Sequence, residues 1–401
     1  MESDCTLMKL AFVFDGLGCG GIERVGIDYC NALCNAGHEI VVVNLSPQRN
    51  EFVHQLDSRI QYHSLSFSKL CSPECYVSLT RRPVWGKFAY PLFSTLCGAF
   101  DIAIKPLVRY TIPAVDIAIA FSGHFNDLTF VSKGLIRSFK RVAWLHGTIS
   151  SYAIMSEGFP LLYQRFNALV CLGVEGDEEF QAVHTRFKVK KKVIYNPITI
   201  GEREIQPDIV SNLKAKYGQF ALMVMRLSYP EKDPYTAIRA LRILNASLKQ
   251  KRHLVIIGDG PEKQKLIDFI NTEHMQDYVH LAGQIDNPAP YYAACDFFIH
   301  ASAAAEGLPT VILEALHFSK PVIATDVRSG PREILGNSRY GILCKVQNPE
   351  DMAHSIEELI TSPELYSTYA KRAPERIADF EPSLIYSQLI GYLNEVMHGA
   401  H

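Results

Sequence analysis

Apolar residues in this chain gather in short unbroken runs. Leu10–Phe14 is uniformly apolar, Gly16, Gly18, Gly20 and Gly21 follow, and Ile22–Ala36 then places Val25, Tyr29, Ala32 and Leu33 at helical spacing. Unbroken runs of this length suit strands buried on both faces of a parallel sheet. Gly37 supplies a helix stop. Glu39–Leu45 reads as the next strand, so the opening segment spells strand, loop, helix, strand. Further strands are predicted at Asp116–Phe121, Arg141–Leu145, Ala168–Leu172 and Val193–Tyr195. Asn196-Pro197 breaks the pattern, and Ile198–Asp208 reads as a linker.

The pattern then restarts. Strands are predicted at Phe220–Met225, His253–Ile257, His280–Ala282, Phe297–His300, Val322–Thr325 and Gly341–Cys344, with helices at Tyr235–Lys249, Ala289–Ala294 and Thr310–His317. Pro382 marks a break before a last helix, Ser383–Val396. The fold expected is α/β, with two Rossmann-like doubly wound parallel-sheet domains at 1–198 and 199–382. The terminal helix, 383–401, is expected to pack back on the first.

Composition agrees with two domains. The chain has 401 residues, 48% hydrophobic and 20% charged, which excludes a disordered protein. A net charge of -2 argues against a generic nucleic-acid binder. The charge is uneven: 20 Lys+Arg face 17 Asp+Glu in residues 1–200, and 20 face 25 in residues 201–401. The halves are therefore expected to meet different partners. Ten cysteines without a CxxC pattern suggest buried reduced thiols, with no zinc site. The acidic, polar N-terminus does not resemble a signal peptide. The apolar stretch Phe88–Phe100, interrupted by Pro91, reads as too short to span a bilayer.

Three features carry candidate chemistry. Gly16, Gly18 and Gly21 fit G-x-G-x-x-G between a strand and a helix, where backbone N–H groups can receive an anion. A dinucleotide site would also need an acid after the second strand, and Asn44-Leu45-Ser46 offers none. A diphosphate or sugar site, or tight turn packing with no ligand, both remain open, and Gly258-Asp259-Gly260 reads more simply as a turn. The second feature is Glu306 and Glu314 around Gly307-Leu308-Pro309, with Thr310 opening a helix. One carboxylate stands before a helix N-terminus and one lies a turn inside, where sugar hydroxyls would find acceptors; a capping acid with a solvated Glu gives the same spacing. The third is Arg226 and Lys232 after the first strand of the second half, two cations at a sheet edge suited to phosphate.

These segments together resemble glycosyltransferase family 4, retaining enzymes of the GT-B fold. The resemblance runs through GGIERV, WLHGT, YNPI, RLSYPEKD, IIGDGPE, LAGQIDN, EGLPTVILEAL and SGPREIL, nearly the whole chain in one order. It implies two domains facing across a cleft, an N-terminal acceptor domain and a C-terminal donor domain. It implies that Arg226 and Lys232 bind the donor diphosphate and stabilise the leaving charge. Glu306 would engage the donor sugar and Glu314 the ribose hydroxyls. Backbone at Gly307, Leu308, Pro309 and Thr310 would contact sugar and phosphate. Gln284 and Ile285 would lie at the base, His146 near the reacting sugar, and Gly20 and Gly21 by the phosphate. It implies retention by front-face attack, with no metal and no cofactor beyond the donor, a UDP-sugar in preference to a GDP-sugar.

Residues Ser66–Arg141 hold ten Lys+Arg against four acids, interleaved with Trp85, Phe88, Tyr90, Phe93 and Tyr110. That mixture suits an anionic membrane surface, although charge runs are commonly just solvated. The expected protein is a cytoplasmic enzyme, peripheral on the inner face of the membrane, that glycosylates a lipid-linked or cell-envelope glycan. His124, Arg81 and Arg82 are candidate acceptor contacts. Two competing readings are a nucleotide-sugar 2-epimerase on the same fold and a silent binding subunit.

Overall fold

A computed structural model describes residues 7–18, 20–67, 73, 76–77, 80, 85–147, 159–174, 178, 189–200, 204–304, 306–327 and 330–399. Arg81 and Arg82, named above, lie outside the described residues, as do Thr148 at the end of WLHGT and Ser329 at the start of SGPREIL. The chain folds as two compact units, residues 1–196 with 383–401, and residues 197–382.

The first unit holds a seven-stranded parallel sheet. Its strands are β1 (Lys9–Phe14), β2 (Glu39–Asn44), β3 (Gln61–Ser64), β4 (Val115–Ala120), β5 (Ser138–Leu145), β6 (Ala168–Cys171) and β7 (Lys190–Val193), in the order β3-β2-β1-β4-β5-β6-β7. The central strands are buried on both faces, as their unbroken apolar runs require. The helix Gly21–Asn35 packs Val25, Tyr29 and Leu33 inward. It stops at Gly37, whose φ of +94° closes the turn. The C-terminal helix, Pro382–His398, lies on this unit from Ser383 onward: Tyr386 meets Tyr29 at 5.5 Å between ring centroids, and the Tyr392 hydroxyl donates to Leu169 O at 3.2 Å.

Both edge strands depart from the expected pattern. β3 reads Gln-Tyr-His-Ser and gives no apolar signal. β7 is Lys190–Val193 and not Val193–Tyr195. An edge strand has no second neighbour, so polar side chains are tolerated, and lysines there discourage pairing with another chain.

The stretch near residue 90 differs more. The expected short apolar segment ending at Phe100 is instead one helix, Trp85–Thr111, which runs through Pro91 and Pro106. Proline removes a backbone donor but need not end a helix whose other turns are intact. Thr95 Oγ1 donates to the Pro91 carbonyl at 2.8 Å on the next turn. Phe88–Thr111 is thus long and apolar enough to cross a membrane by length and composition alone, and only 6% of its most apolar window is buried.

The second unit holds a six-stranded parallel sheet. Its strands are β8 (Phe220–Val224), β9 (His253–Ile257), β10 (Val279–Gly283), β11 (Phe297–His300), β12 (Val322–Thr325) and β13 (Ile342–Cys344), ordered β10-β9-β8-β11-β12-β13. Its core joins Met223, Leu254, Phe297 and Ile323 to Ile238 and Leu241 of the helix Pro234–Ser247. Six cysteines, Cys30, Cys34, Cys97, Cys171, Cys295 and Cys344, are free and buried.

Candidate active site

The strand order of the second sheet reverses once. β9 and β10 extend from one side of β8, and the chain then returns to place β11 on the other side. Loops leaving β8 and β11 therefore diverge at their carboxyl ends, the position where open α/β sheets bind ligands. Arg226 and Lys232 lie in the β8 loop, and Ser302 and Glu306 to Pro309 lie between β11 and the helix that opens at Thr310.

Lys232 and Glu306 meet at this point. Lys232 Nζ donates to Glu306 Oε2 at 2.5 Å, with side chains 18% and 10% exposed. The second oxygen, Oε1, accepts from His300 Nε2 at 3.1 Å and from the Ser302 hydroxyl. Burial alone would raise the Glu306 carboxyl, but His300 and Lys232 outweigh it and hold the group at about 2. Burial also lowers the His300 pKa, against the opposing pull of Glu306. Its Nδ1 is buried and has no hydrogen-bond partner among the described residues.

Backbone stitching holds the two loops in place. Asp233 N donates to Ala301 O at 2.9 Å and Ala303 N to Pro230 O at 3.1 Å. Ser302 N donates to Thr325 Oγ1, which donates back to Ser302 O. Asp233 caps the helix Pro234–Ser247 through Thr236 N at 3.2 Å. Arg226 differs from Lys232: it is exposed, and no ion pair or hydrogen bond ties down its side chain among the described residues.

Gly258 and Gly260 shape the same edge by close packing. A Cβ on Gly258, where φ is +136°, would stand 1.8 Å from Met225 O, and one on Gly260 would stand 2.4 Å from Leu227 O. The turn therefore presses on the backbone flanking Arg226, as a plain strand-to-helix turn does. The helix Thr310–His317 begins as expected, with Pro309 at the cap position and no side-chain cap. Its first N–H groups lack intrahelical partners. Glu314 sits half-buried in its second turn. Gly330 packs on the Gly307 carbonyl, 2.0 Å from where a Cβ would stand. Gln284, exposed, and Ile285, half-buried, follow β10.

Four predicted residues among those described belong to the first unit. Gly20 and Gly21 open the helix Gly21–Asn35. The preceding loop is laced to Arg49, which crowds any Cβ on Gly16 at 3.1 Å and on Gly18 at 3.2 Å, and which pairs with Glu23 at 2.9 Å. Gly16 and Gly18 thus make room for a side chain of this same protein. Asn44 is fully buried and bonded to Arg49 O, Tyr62 and Ser46, which closes the position a ribose-binding acid would occupy. His146 is buried beside Phe121, whose carbonyl lies 2.5 Å from its Nε2. Burial pushes its pKa down to about 3, so the ring is neutral. His124 follows β4, and its side chain is 37% exposed.

Residues 204–376 match the family glycosyl transferases group 1. A Campylobacter jejuni N-acetylgalactosamine-N,N'-diacetylbacillosaminyl-diphospho-undecaprenol 4-alpha-N-acetylgalactosaminyltransferase is 34% identical over 51% of this chain and 53% of its own length. The chain thus matches about half of that relative. A second C. jejuni protein, a GalNAc-alpha-(1->4)-GalNAc-alpha-(1->3)-diNAcBac-PP-undecaprenol alpha-1,4-N-acetyl-D-galactosaminyltransferase, is 22% identical over 97% and 99%. Anabaena Alr3699/HepE in complex with UDP superposes at a TM-score of 0.74, with 20% identity over 97% of this chain and 100% of that one. WaaG, a glycosyltransferase involved in lipopolysaccharide biosynthesis, gives 0.64 at 15% identity over 98% and 100%. The chain has the GT-B fold. Its second GT-B unit is the one that carries the group 1 match and the Lys232–Glu306 pair.

Sequence reasoning missed the supports of that pair, His300, Ser302, Asp233 and Thr325. One signal was legible. His300 ends the apolar run Phe-Phe-Ile, where a buried polar residue needs a partner.

Proposed function

We propose that this protein is a retaining, metal-independent glycosyltransferase of family 4. It moves a hexose or N-acetylhexosamine from a nucleotide diphosphate sugar, a UDP-sugar in preference to a GDP-sugar, to a lipid-linked or cell-envelope glycan. The observation that carries this reading is the Lys232–Glu306 pair at the switch point of the unit that matches the group 1 family, with Arg226 in the same β8 loop and without an ion pair or hydrogen bond of its side chain among the described residues. Arg226 and Lys232 supply positive charge where a diphosphate leaves, and Glu306, ionised far below neutral pH, accepts from sugar hydroxyls. Glu314 takes the ribose hydroxyls, the backbone of Gly307–Thr310 takes phosphate and sugar oxygens, and Gln284 and Ile285 lie at the base. The leaving phosphate takes the acceptor proton during front-face attack. The relatives named above act, by their names, on diphospho-undecaprenol-linked glycans, which supports a lipid-linked acceptor.

A lipid acceptor places the enzyme at the inner face of the cell membrane. Phe88, Leu92, Leu96, Ile102 and Leu107 on the helix Trp85–Thr111 are all at least 60% exposed. Beside them Lys105, Arg109, Tyr110 and Arg137 line a groove of about 670 Å³. Apolar side chains beside cations fit an anionic bilayer surface. Flotation with phosphatidylglycerol vesicles tests this: the triple variant Phe88→Glu, Leu92→Glu, Leu96→Glu should stay at the bottom of the gradient, and unchanged flotation would remove the membrane from the reading. Turnover is tested by incubating the protein with UDP-sugars, with and without diphospho-undecaprenol-linked glycans. Interconversion of the sugar without acceptor would instead indicate an epimerase, and no turnover with any donor a silent subunit.

A further inference from the structure

The second unit holds a cavity of about 400 Å³, at the lower end of the roughly 300–1,000 Å³ usual for small-molecule sites. Arg226, Lys232, Glu306 and Glu314 do not line it. Three stretches of chain enclose it: the β8 loop with the first turns of the helix Pro234–Ser247, the segment from Glu262 into the helix Lys263–Thr272, and the segment after β13.

Aromatic rings form one part of the wall. Tyr235 stands edge-on to Tyr229, at 5.7 Å between ring centroids, and to Phe269, at 4.9 Å, a packing that fixes all three rings. Tyr229 stays 45% exposed. Polar groups form the rest. Gln347 Nε2 donates to the Tyr229 hydroxyl oxygen at 2.9 Å, a bond that uses neither the Tyr229 proton nor the Gln347 carbonyl oxygen. Glu262 Oε2 accepts from the Tyr235 hydroxyl at 3.2 Å, and Oε1 from Lys265 at 2.8 Å. Each of those oxygens keeps a second lone pair. The Lys265 ammonium and the Tyr235 hydroxyl outweigh desolvation and hold Glu262 below the usual carboxylate range, so it is an acceptor at neutral pH. Asp233, buried, accepts from Thr236 N and Thr236 Oγ1. Arg239 is already committed: Nε donates to Glu273 at 3.0 Å, and the guanidinium lies 5.0 Å over the Phe269 ring.

This lining selects by charge and by shape. A phosphate or a nucleoside diphosphate would meet two carboxylates, Asp233 and Glu262, while Arg239, the one cation on the wall among the described residues, is held by Glu273. A wholly apolar molecule would strip water from Glu262 and Gln347 and replace none of its hydrogen bonds. A cation would face Arg239 and Lys265, which already supply the positive charge there. A neutral molecule that carries several O–H donors and has apolar faces meets every part of the wall. A pyranose is built that way, with C–H groups on its ring faces and hydroxyls around its edge.

We propose that this cavity binds a neutral saccharide of one or two pyranose rings. The C–H faces pack on Tyr229 and Phe269, sugar hydroxyls donate to Glu262 and to the Gln347 carbonyl oxygen, and the Tyr229 hydroxyl donates to a sugar oxygen. The ligand is not the nucleotide donor, whose diphosphate this wall repels. The site stands whether or not the glycosyltransferase reading does, because none of its contacts runs through Arg226, Lys232 or Glu306.

Saturation-transfer NMR on the full chain tests the site, with lactose and the methyl α-glycosides of glucose, galactose, N-acetylglucosamine and N-acetylgalactosamine as probes. At least one probe should bind the unmodified protein in the millimolar range, and saturating UDP should leave it in place. Glu262→Ala should weaken binding tenfold or more, because a charge-assisted hydrogen bond is lost, and Gln347→Ala severalfold. Melting temperature should stay close to that of the unmodified protein, since both side chains are partly or fully exposed. Silence from all five probes, displacement by UDP, or undiminished binding by either folded variant overturns the site. If Glu262→Ala fails to fold, Gln347→Ala decides alone. Failure of the glycosyltransferase reading would appear separately, as no turnover of any nucleotide sugar by a protein that still binds the probe.

Discussion

Glu306→Gln is the sharpest test of the electrostatics at the second switch point. The side chain keeps its size and loses one charge. In the folded protein the carboxyl is held at about 2, against an ordinary value of 4.5. At about 1.36 kcal/mol per unit, the ionised form contributes on the order of 3 kcal/mol to the stability of this unit at pH 7. The folded pKa is depressed, so this contribution is fully present above 4.5 and is lost as pH falls toward 2. Linkage puts the loss at about 1 kcal/mol by pH 4 and about 2 kcal/mol by pH 3. The variant should therefore be less stable by about 3 kcal/mol at pH 7, and the gap should narrow by about 1 kcal/mol at pH 4. Leaving Lys232 without its partner adds a cost that does not vary over this range. Urea unfolding followed by far-UV circular dichroism measures the gap. Both tryptophans, Trp85 and Trp144, lie in the first unit, so fluorescence serves as an internal control that should not move. A gap of the same size at pH 7 and pH 4 would refute the claim that Lys232 and His300 hold Glu306 ionised.

Arg226→Ala should leave the melting temperature unchanged, because the side chain is exposed, and should weaken UDP binding roughly 10- to 100-fold by calorimetry. Gly258→Ala should cost several kcal/mol or prevent folding of the second unit, since a Cβ would stand 1.8 Å from a backbone oxygen at a φ of +136°; soluble yield and urea midpoint report it. Burial pushes the Asp127 carboxyl up to about 7. A carboxyl raised above its ordinary 3.8 stabilises the fold only while protonated, so the first unit should lose stability as pH rises from about 4 to 7. Carboxyl-carbon NMR should show this group titrating near neutrality.

What could be read from the sequence depended on how many neighbours a segment has. Strands with a partner on both sides and helices on both faces must be apolar throughout, so Leu10–Phe14, Phe220–Val224 and Phe297–His300 announced themselves. Edge strands carry no such requirement, and β3 and β7 were missed or misplaced for that reason. Pro91 misled because proline forbids one hydrogen bond, whereas the Trp85–Thr111 helix has many. The site shows the same division. Lys232 and Glu306 are 74 residues apart, yet each is a charged residue just beyond a buried strand, so their loops could be read singly. Their meeting could not, because it depends on β11 pairing with β8 and not with β10, a fact of topology. Asp15 Oδ2 comes within 3.3 Å of His124 Nδ1 in the same way, from β1 beside β4. In both units, then, two residues ordinary in sequence meet where strand order reverses, because the sheet sets their loops side by side.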